Sequence, residues 1–255
     1  MLRPTYYNMI KTKLPSRSRK AFTLIELILV ISLIAILIAL LLPSISHLRN
    51  RAYTAGSLSN LRNHAAVMEM YTNDHQDTYP IYVDPKSSYG VLYWNNHRIV
   101  IKYFDQEYLW MLFVKEYYHD NPLDPSFFVP GPGALNGDYA GVHIPYRYSS
   151  TFFTDPKFWQ PETRLPGHTQ WRPVKNSEVN SPSQKGILIS ENPRYNTQIY
   201  SEMLKMNVDI AFTNGHAENL PQGNLQQPTI GDPPYEGVTF PVINTPDGVR
   251  GRDKK

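Results

Sequence analysis

The feature that most constrains this chain is an apolar run near its N-terminus. Between Phe22 and Pro43 only one side chain carries a charge, that of Glu26. An α-helix over residues 22–42 would rise about 31 Å, which matches the hydrocarbon core of a bilayer at about 30 Å. The run therefore predicts a transmembrane helix over residues 22–43. A carboxylate inside such a helix needs a physical reason, because it costs about 2.5–3.5 kcal/mol in lipid.

Basic residues are concentrated before this run. Of the 25 Lys and Arg residues, six lie within residues 1–21 and 19 lie after them, against 22 acidic residues, none of which is in that segment. Cationic residues beside a membrane span stay in the cytoplasm. We therefore predict a cytoplasmic leader over residues 1–21 and an exported C-terminal bulk. The same distribution argues against a basic nucleic-acid surface, so no nucleic-acid partner is expected.

A cleaved secretory signal peptide is the alternative interpretation of the run. Its apolar region would span about 7–15 residues and would end at a small-x-small cleavage site. Here the run is longer, and the segment after it, PSISHLRNRA, can continue as a polar helix. We therefore expect the apolar helix to remain in the mature protein.

Residues 20–43, KAFTLIELILVISLIAILIALLLP, resemble the N-terminal signature of type IV pilins and type II secretion pseudopilins, the class III signal sequence. The resemblance implies that a prepilin peptidase cuts between Ala21 and Phe22 and then methylates the new amine of Phe22. It also implies that Glu26 pairs with the N-terminal amine of a neighbouring subunit during filament assembly. The family nearly always has Gly at the position of Ala21.

Electrostatics supports this role for Glu26. Each of the two charges is costly alone in lipid, so each favours the other as its partner. Their pairing would also set the axial register of the subunits, which non-directional apolar packing cannot do. The alternative is that Glu26 lies near the membrane interface and reaches water.

The helix is predicted to continue beyond the apolar run. Pro43 should kink or break it near residues 39–43, because proline removes a backbone hydrogen bond and clashes with the preceding turn. Residues 44–73 are predicted to be amphipathic and to end near Tyr71. The apolar stripe, expected to pack on the protein's own head, contains Ile45, Leu48, Ala52, Ala55, Leu58, Leu61, Ala65 and Met68.

The exported head is predicted over residues 74–220, with an irregular tail over 221–255. Alternation predicts strands at 97–104 and 185–190, and helical spacing predicts a short helix at 107–118. Asn214-Gly215 between two alternating runs predicts a hairpin with a type I′ turn. Together with His216, this turn resembles the FADGHV element of a pilin-like family of planctomycete and lentisphaeral bacteria. The predicted fold class is α+β, a long helix packed on an antiparallel sheet.

No pattern in the sequence indicates an enzyme. The chain has no Cys, which excludes disulfides and thiolate metal sites. Its eight His lack zinc-ligand spacing, and no phosphate loop or Gly-x-Ser-x-Gly is present. We expect no catalytic residue, cofactor or metal. An aromatic group could be a sugar-binding surface or, as we favour, part of the core: Tyr146, Tyr148, Phe152, Phe153, Phe158 and Trp159.

The predicted function is that of a structural pilin-like or pseudopilin subunit. Its expected partners are a prepilin peptidase, other pilin subunits and the bacterial inner membrane, crossed once with the N-terminus in the cytoplasm. The head would then be periplasmic, or extracellular after assembly. The alternative is a membrane-anchored binding protein, such as a carbohydrate adhesin, that uses the same export signal and does not polymerise.

Overall fold

The computed structural model describes residues 22–94, 97–119, 124–130, 145–190, 207–229 and 241–255. The predicted leader over residues 1–21, including Ala21, lies outside them. The chain divides into two compact units, Met1–Leu48 and Arg49–Lys255. We call these the N-terminal unit and the C-terminal unit, and describe each by itself.

A long helix, α1, runs from Leu24 to Asp74. It continues through Pro43 without a break, so the predicted kink at that residue stays a prediction. The helix ends three residues beyond the expected Tyr71. After it, Gln76 and Asp77 adopt left-handed backbone conformations, with φ of 54° and 66°.

The predicted apolar stripe of α1 is only partly correct. In the C-terminal unit, Leu61, Ala65 and Met68 are at most 4% exposed, which confirms that this part of the helix packs on the rest of its unit. Ala52 and Ala55 are exposed, so the prediction is wrong there. The buried face is completed by polar side chains that the apolar pattern did not include: Ser57, His64 and Thr72.

Two antiparallel sheets follow the helix and confirm the α+β class. Strands β1 (Tyr89–Trp94) and β2 (His97–Lys102) form a two-stranded sheet. The second sheet has four strands in sequence order, each pair antiparallel. They are β3 (Tyr146–Tyr148), β4 (Gly186–Ser190), β5 (Asn207–Phe212) and β6 (Ala217–Pro221). The predicted strands at 97–104 and 185–190 correspond to β2 and β4.

The helix predicted at 107–118 is wrong. The segment forms short 3-10 turns, Phe104–Glu107, Trp110–Leu112 and Lys115–Tyr118. Leu109 and Val114 separate them, with φ near −115° and ψ near 13°, outside the helical region. Several side chains of this segment are buried, and Trp110 is fully buried. The chain therefore bends over the core here, although its apolar spacing is typical of a straight helix.

Aromatic side chains fill the core of the C-terminal unit. The rings of Tyr103 and Trp171 stack with centroids 4.4 Å apart, and those of Tyr79 and Phe152 meet edge to face at 4.6 Å. Such pairs add about 0.5–1.5 kcal/mol each beyond the burial of their surface.

Beyond Pro221 the described chain has few regular elements, in keeping with the predicted irregular tail. It nevertheless packs closely. Val242, Ile243 and Val249 are each at most 1% exposed, and the first two join a cluster with residues of β4 and β5. The predicted head boundary at residue 220 stays a prediction, while residues 241–255 contribute buried side chains to the C-terminal unit.

Candidate functional site

The first turn of α1 is held by two side chains of the predicted assembly segment. Thr23 precedes the helix, and its hydroxyl accepts a hydrogen bond from the Glu26 N–H at 3.3 Å. In return, Glu26 Oε2 accepts from the Thr23 N–H at 2.9 Å and from the Thr23 hydroxyl at 2.8 Å. This reciprocal arrangement is a capping box, which satisfies backbone donors that have no partner inside the helix.

The capping role of Glu26 is additional to the predicted pairing with a neighbour. The sequence already contained its signal, Thr-x-x-Glu directly before an apolar run, but our sequence analysis interpreted Glu26 only as an assembly residue. Both bonds from Thr23 go to Oε2, so the other carboxylate oxygen can still accept a donor. One carboxylate can thus cap its own helix and face a cation of another chain.

The apolar part of α1 is exposed on all sides. From Leu24 to Leu42 the large apolar side chains are 45–76% exposed, and consecutive residues of a helix point in different directions. Phe22, next to the predicted cut, is 83% exposed. Within the described residues, α1 is the one helix that is long and apolar enough to cross a membrane by length and composition. A surface of this kind needs lipid or other helices to cover it.

The second predicted site element is the turn between β5 and β6. The hairpin is present, but the type I′ turn is wrong, because only Gly215 of the two central residues has a positive φ, 86°. The Phe212 N–H bonds the His216 carbonyl, and the Gly215 N–H bonds the Phe212 carbonyl, both at 2.9 Å. Three loop residues therefore make a turn followed by a left-handed glycine, the next most common hairpin geometry.

His216 has structural partners in this hairpin. Its ring stacks on Phe212 with centroids 4.4 Å apart, and its Nδ1 contacts Asn214 Oδ1. Its Nε2 lies 3.2 Å from Glu218 Oε1. The Lys254 ammonium, 2.7 Å from Glu218 Oε2, holds the pKa of Glu218 below its usual value. These contacts tie the turn to the C-terminal residues and give His216 a structural role in the hairpin.

The aromatic residues considered for sugar binding are buried. Each is at most 2% exposed: Tyr146, Tyr148, Phe152, Phe153, Phe158 and Trp159. The core interpretation is therefore confirmed, and this group of rings does not support the carbohydrate adhesin.

A surface pocket of about 260 Å³ opens beside Phe158, His168 and Trp171. The ring of Trp171 stacks on Tyr103 and also contacts His168, with centroids 4.3 Å apart. The Arg164 guanidinium lies 4.3 Å from the centroid of the Phe158 ring. Since these rings are already in contact with side chains, they offer little free face on which a sugar could stack.

The described residues contain no group of three or more His, Asp or Glu that could hold a metal ion. His64 is buried in α1 and bonded to the Tyr118 hydroxyl at 2.5 Å and the Ser126 carbonyl at 2.8 Å. Burial lowers its pKa to about 4, so the imidazole is neutral at physiological pH. Its two partners identify it as a core residue.

Two buried pairs of a basic and an acidic side chain in the C-terminal unit were not predicted from the sequence. Arg147 Nη2 lies 2.5 Å from Glu107 Oε1, with side chains 5% and 1% exposed. Lys185 Nζ lies 2.9 Å from Asp253 Oδ2, with side chains 0% and 1% exposed. In both pairs the partners are far apart in sequence, so no local spacing could have revealed them.

Comparison with known proteins gives a match in the N-terminal segment that contains the start of α1. A family model described as the prokaryotic N-terminal methylation motif matches residues 16–42. The chain therefore carries the class III prepilin-type signal of type IV pilins and pseudopilins, which confirms the resemblance found in its sequence. No curated protein and no solved structure matches the chain significantly.

Proposed function

We propose that this chain is a membrane-anchored structural subunit of the pilin or pseudopilin type, without enzymatic activity. A prepilin peptidase cuts between Ala21 and Phe22 and methylates the new amine. The mature helix then leaves the bilayer side by side with those of other subunits, in a pilus or a secretion pseudopilus. The observation that carries this proposal is a helix whose large apolar side chains are 45–76% exposed, directly behind a methylation motif.

The exposed helix has two successive environments in this proposal. Before assembly, lipid covers it as a single membrane span, with the N-terminus in the cytoplasm and the C-terminal unit on the far side. After assembly, helices of other subunits take the place of lipid. Both environments are apolar, so the transfer changes little hydrophobic free energy. Direction and register must therefore come from polar groups.

Glu26 supplies that polar contact. Cleavage leaves a positive amine on Phe22, four residues before Glu26 and therefore about one helical turn away. In a neighbour displaced by about one turn, the carboxylate and the amine meet at the same depth. Because the helix dipole also places positive charge at this end, the carboxylate is favourable there before and after pairing.

Mass spectrometry of the native protein tests the processing step. The expected N-terminal peptide begins at N-methylated Phe22, in membranes and in sheared filaments alike. Ala21→Gly should accelerate the cut, because the family nearly always has Gly there, whereas Ala21→Leu should block it. Finding Met1 retained, or a cut after Pro43, in the native protein would overturn the proposal.

A further inference from the structure

A lysine and an aspartate in the C-terminal unit are sealed from solvent against each other. Lys185 directly precedes β4, the strand between β3 and β5. Asp253 lies in the last described segment, and the Lys185 Nζ to Asp253 Oδ2 distance is 2.9 Å, with both side chains at most 1% exposed. Burying two such groups as charges is costly in desolvation free energy.

Burial acts against the charged form of each group. Burial, the largest cause in each case, lowers the pKa of Lys185 and raises that of Asp253, and their mutual attraction opposes both shifts. The centroid of the Phe152 ring lies 5.7 Å from the Lys185 ammonium nitrogen. A neutral amine is a nucleophile and a protonated carboxyl is an electrophile, whereas ammonium and carboxylate do not react with each other.

Two further groups are aimed at the aspartate. The Gly186 N–H donates to Asp253 Oδ2 at 2.8 Å. The Thr245 hydroxyl accepts a hydrogen bond from Lys185 Nζ at 2.7 Å and contacts Asp253 Oδ1. One backbone donor therefore polarises the carboxyl group, and one hydroxyl touches both the amine and the second carboxyl oxygen.

The geometry points to a spontaneous intramolecular amide bond between Lys185 Nζ and Asp253 Cγ. The amine lone pair attacks Cγ, and the carbonyl electron pair moves to Oδ2, where the Gly186 N–H stabilises the developing charge. Thr245 accepts a proton from Nζ and delivers one to Oδ1, which leaves as water when the carbonyl bond reforms. One amine and one carboxylic acid give one amide and one water, with no oxidant, reductant or further reagent.

Such a bond would tie the C-terminal residues to the middle of the four-stranded sheet. Gly186, next to Lys185, is 67 positions from Asp253 in the chain, so the closed loop would be long. A cross-link of a long loop restricts the unfolded chain, as a disulfide does. This chain has no cysteine and can form no disulfide. The inference goes beyond the proposed function and does not depend on filament assembly.

Peptide mapping of the full-length protein, purified from membranes, tests the bond. Trypsin does not cut after an acylated lysine, so the product should be residues 176–194 in one piece, joined to the C-terminal peptide that contains Asp253. Its mass should be one water less than the sum of the two peptides. Recovery of residues 176–185 as a free peptide from folded protein, with no branched product, would overturn the proposal.

Variants of Thr245 test the proton transfer separately. Thr245→Val should slow formation of the branched peptide about 100-fold, while Thr245→Ser should keep it near the wild-type rate. Tryptophan fluorescence verifies in each case that the variant is folded. Equal rates for the Val and Ser variants would overturn the role of Thr245. Lys185→Arg, which keeps the cation without the nucleophilic amine, should give no branched peptide; a branched product from it would mean that another lysine is the attacking group.

Discussion

Two parts of the same helix illustrate how differently the two units are stabilised. In the N-terminal unit, the large apolar side chains from Leu24 to Leu42 are 45–76% exposed. In the C-terminal unit, Leu61 and Met68 are fully buried. The second stretch packs its apolar side chains into the core of its own unit, whereas the apolar side chains of the first stretch remain exposed. One continuous helix can therefore have a half that is stabilised within its own chain and a half whose apolar surface needs lipid or other helices to cover it.

Charged groups show the same contrast. The C-terminal unit buries complete pairs, such as Arg147 with Glu107. In the apolar run Glu26 is the one charged residue, and in the described part of the chain its hydrogen bonds go to Thr23. These buried charges of the C-terminal unit thus have partners within the unit, whereas the hydrogen bonds of Glu26 leave one carboxylate oxygen open to a further donor.

The largest effect on the C-terminal unit should come from breaking the buried pair of Arg147 and Glu107. Glu107→Gln leaves the Arg147 guanidinium buried without its counter-charge, which should lower the free energy of unfolding by about 3–5 kcal/mol. Urea denaturation in detergent, followed by tryptophan fluorescence, measures it. All four Trp lie in the C-terminal unit: Trp94, Trp110, Trp159 and Trp171.

The matched control for that variant is a more exposed pair. Arg172 bonds Glu178 at 2.7 Å with side chains 36% and 19% exposed, so Glu178→Gln should cost only about 1 kcal/mol. Equal losses in the two variants would contradict the contrast between internal and solvent-screened charges.

The next effect compares two leucines of α1. Leu61→Ala should destabilise the C-terminal unit by about 3 kcal/mol, because it removes a fully buried side chain and leaves a cavity. Leu48→Ala, at a position 63% exposed, should leave the unfolding midpoint in urea unchanged. Comparable shifts in both variants would mean that the N-terminal unit also contributes to this core.

The effect of His64 on stability is negligible near neutral pH and grows only in acid. Its folded pKa of about 4 lies below the ordinary value of 6.5, so the unfolded chain binds more protons between these values. Stability should be complete above about pH 6.5 and fall by about 3 kcal/mol as the pH drops to 4. Urea titrations across this range measure the slope, which His64→Leu should flatten; an unchanged slope in that variant would assign the effect to other groups.

Local patterns predicted the parts of the fold that depend on near neighbours. The apolar run, the alternation of residues 185–190 and the Asn214-Gly215 signal each correspond to an observed element. The predicted turn type was wrong because a type I′ turn needs a positive φ at both central residues, and in the observed three-residue loop only Gly215 of the two has one.

Features set by distant contacts could not be predicted. The apolar residues around Trp110 have helical spacing, yet they bend through 3-10 turns because they are buried against several elements at once. The partners of Lys185 and Glu107 lie in other segments, and only the folded chain brings them together. Of the candidate site, the sequence predicted the methylation signal. The cap made by Thr23 and Glu26 is a local contact whose Thr-x-x-Glu pattern was present but was not interpreted.

The central claim is that the charge of Glu26, rather than its capping bond, drives assembly. Glu26→Gln separates the two roles, because glutamine at this position can still complete a capping box but cannot neutralise an amine. Thr23→Val is the matched variant, since it removes the capping hydroxyl and keeps the carboxylate. N-terminal sequencing must first show that both are cut before Phe22.

The deciding measurement is the fraction of each processed variant recovered in sheared filaments or in chemically cross-linked membrane assemblies. The account predicts that Glu26→Gln inserts into the membrane but is missing from assemblies, while Thr23→Val is incorporated almost as well as the wild type. Normal incorporation of Glu26→Gln together with loss of Thr23→Val would contradict it and leave Glu26 as a helix cap alone.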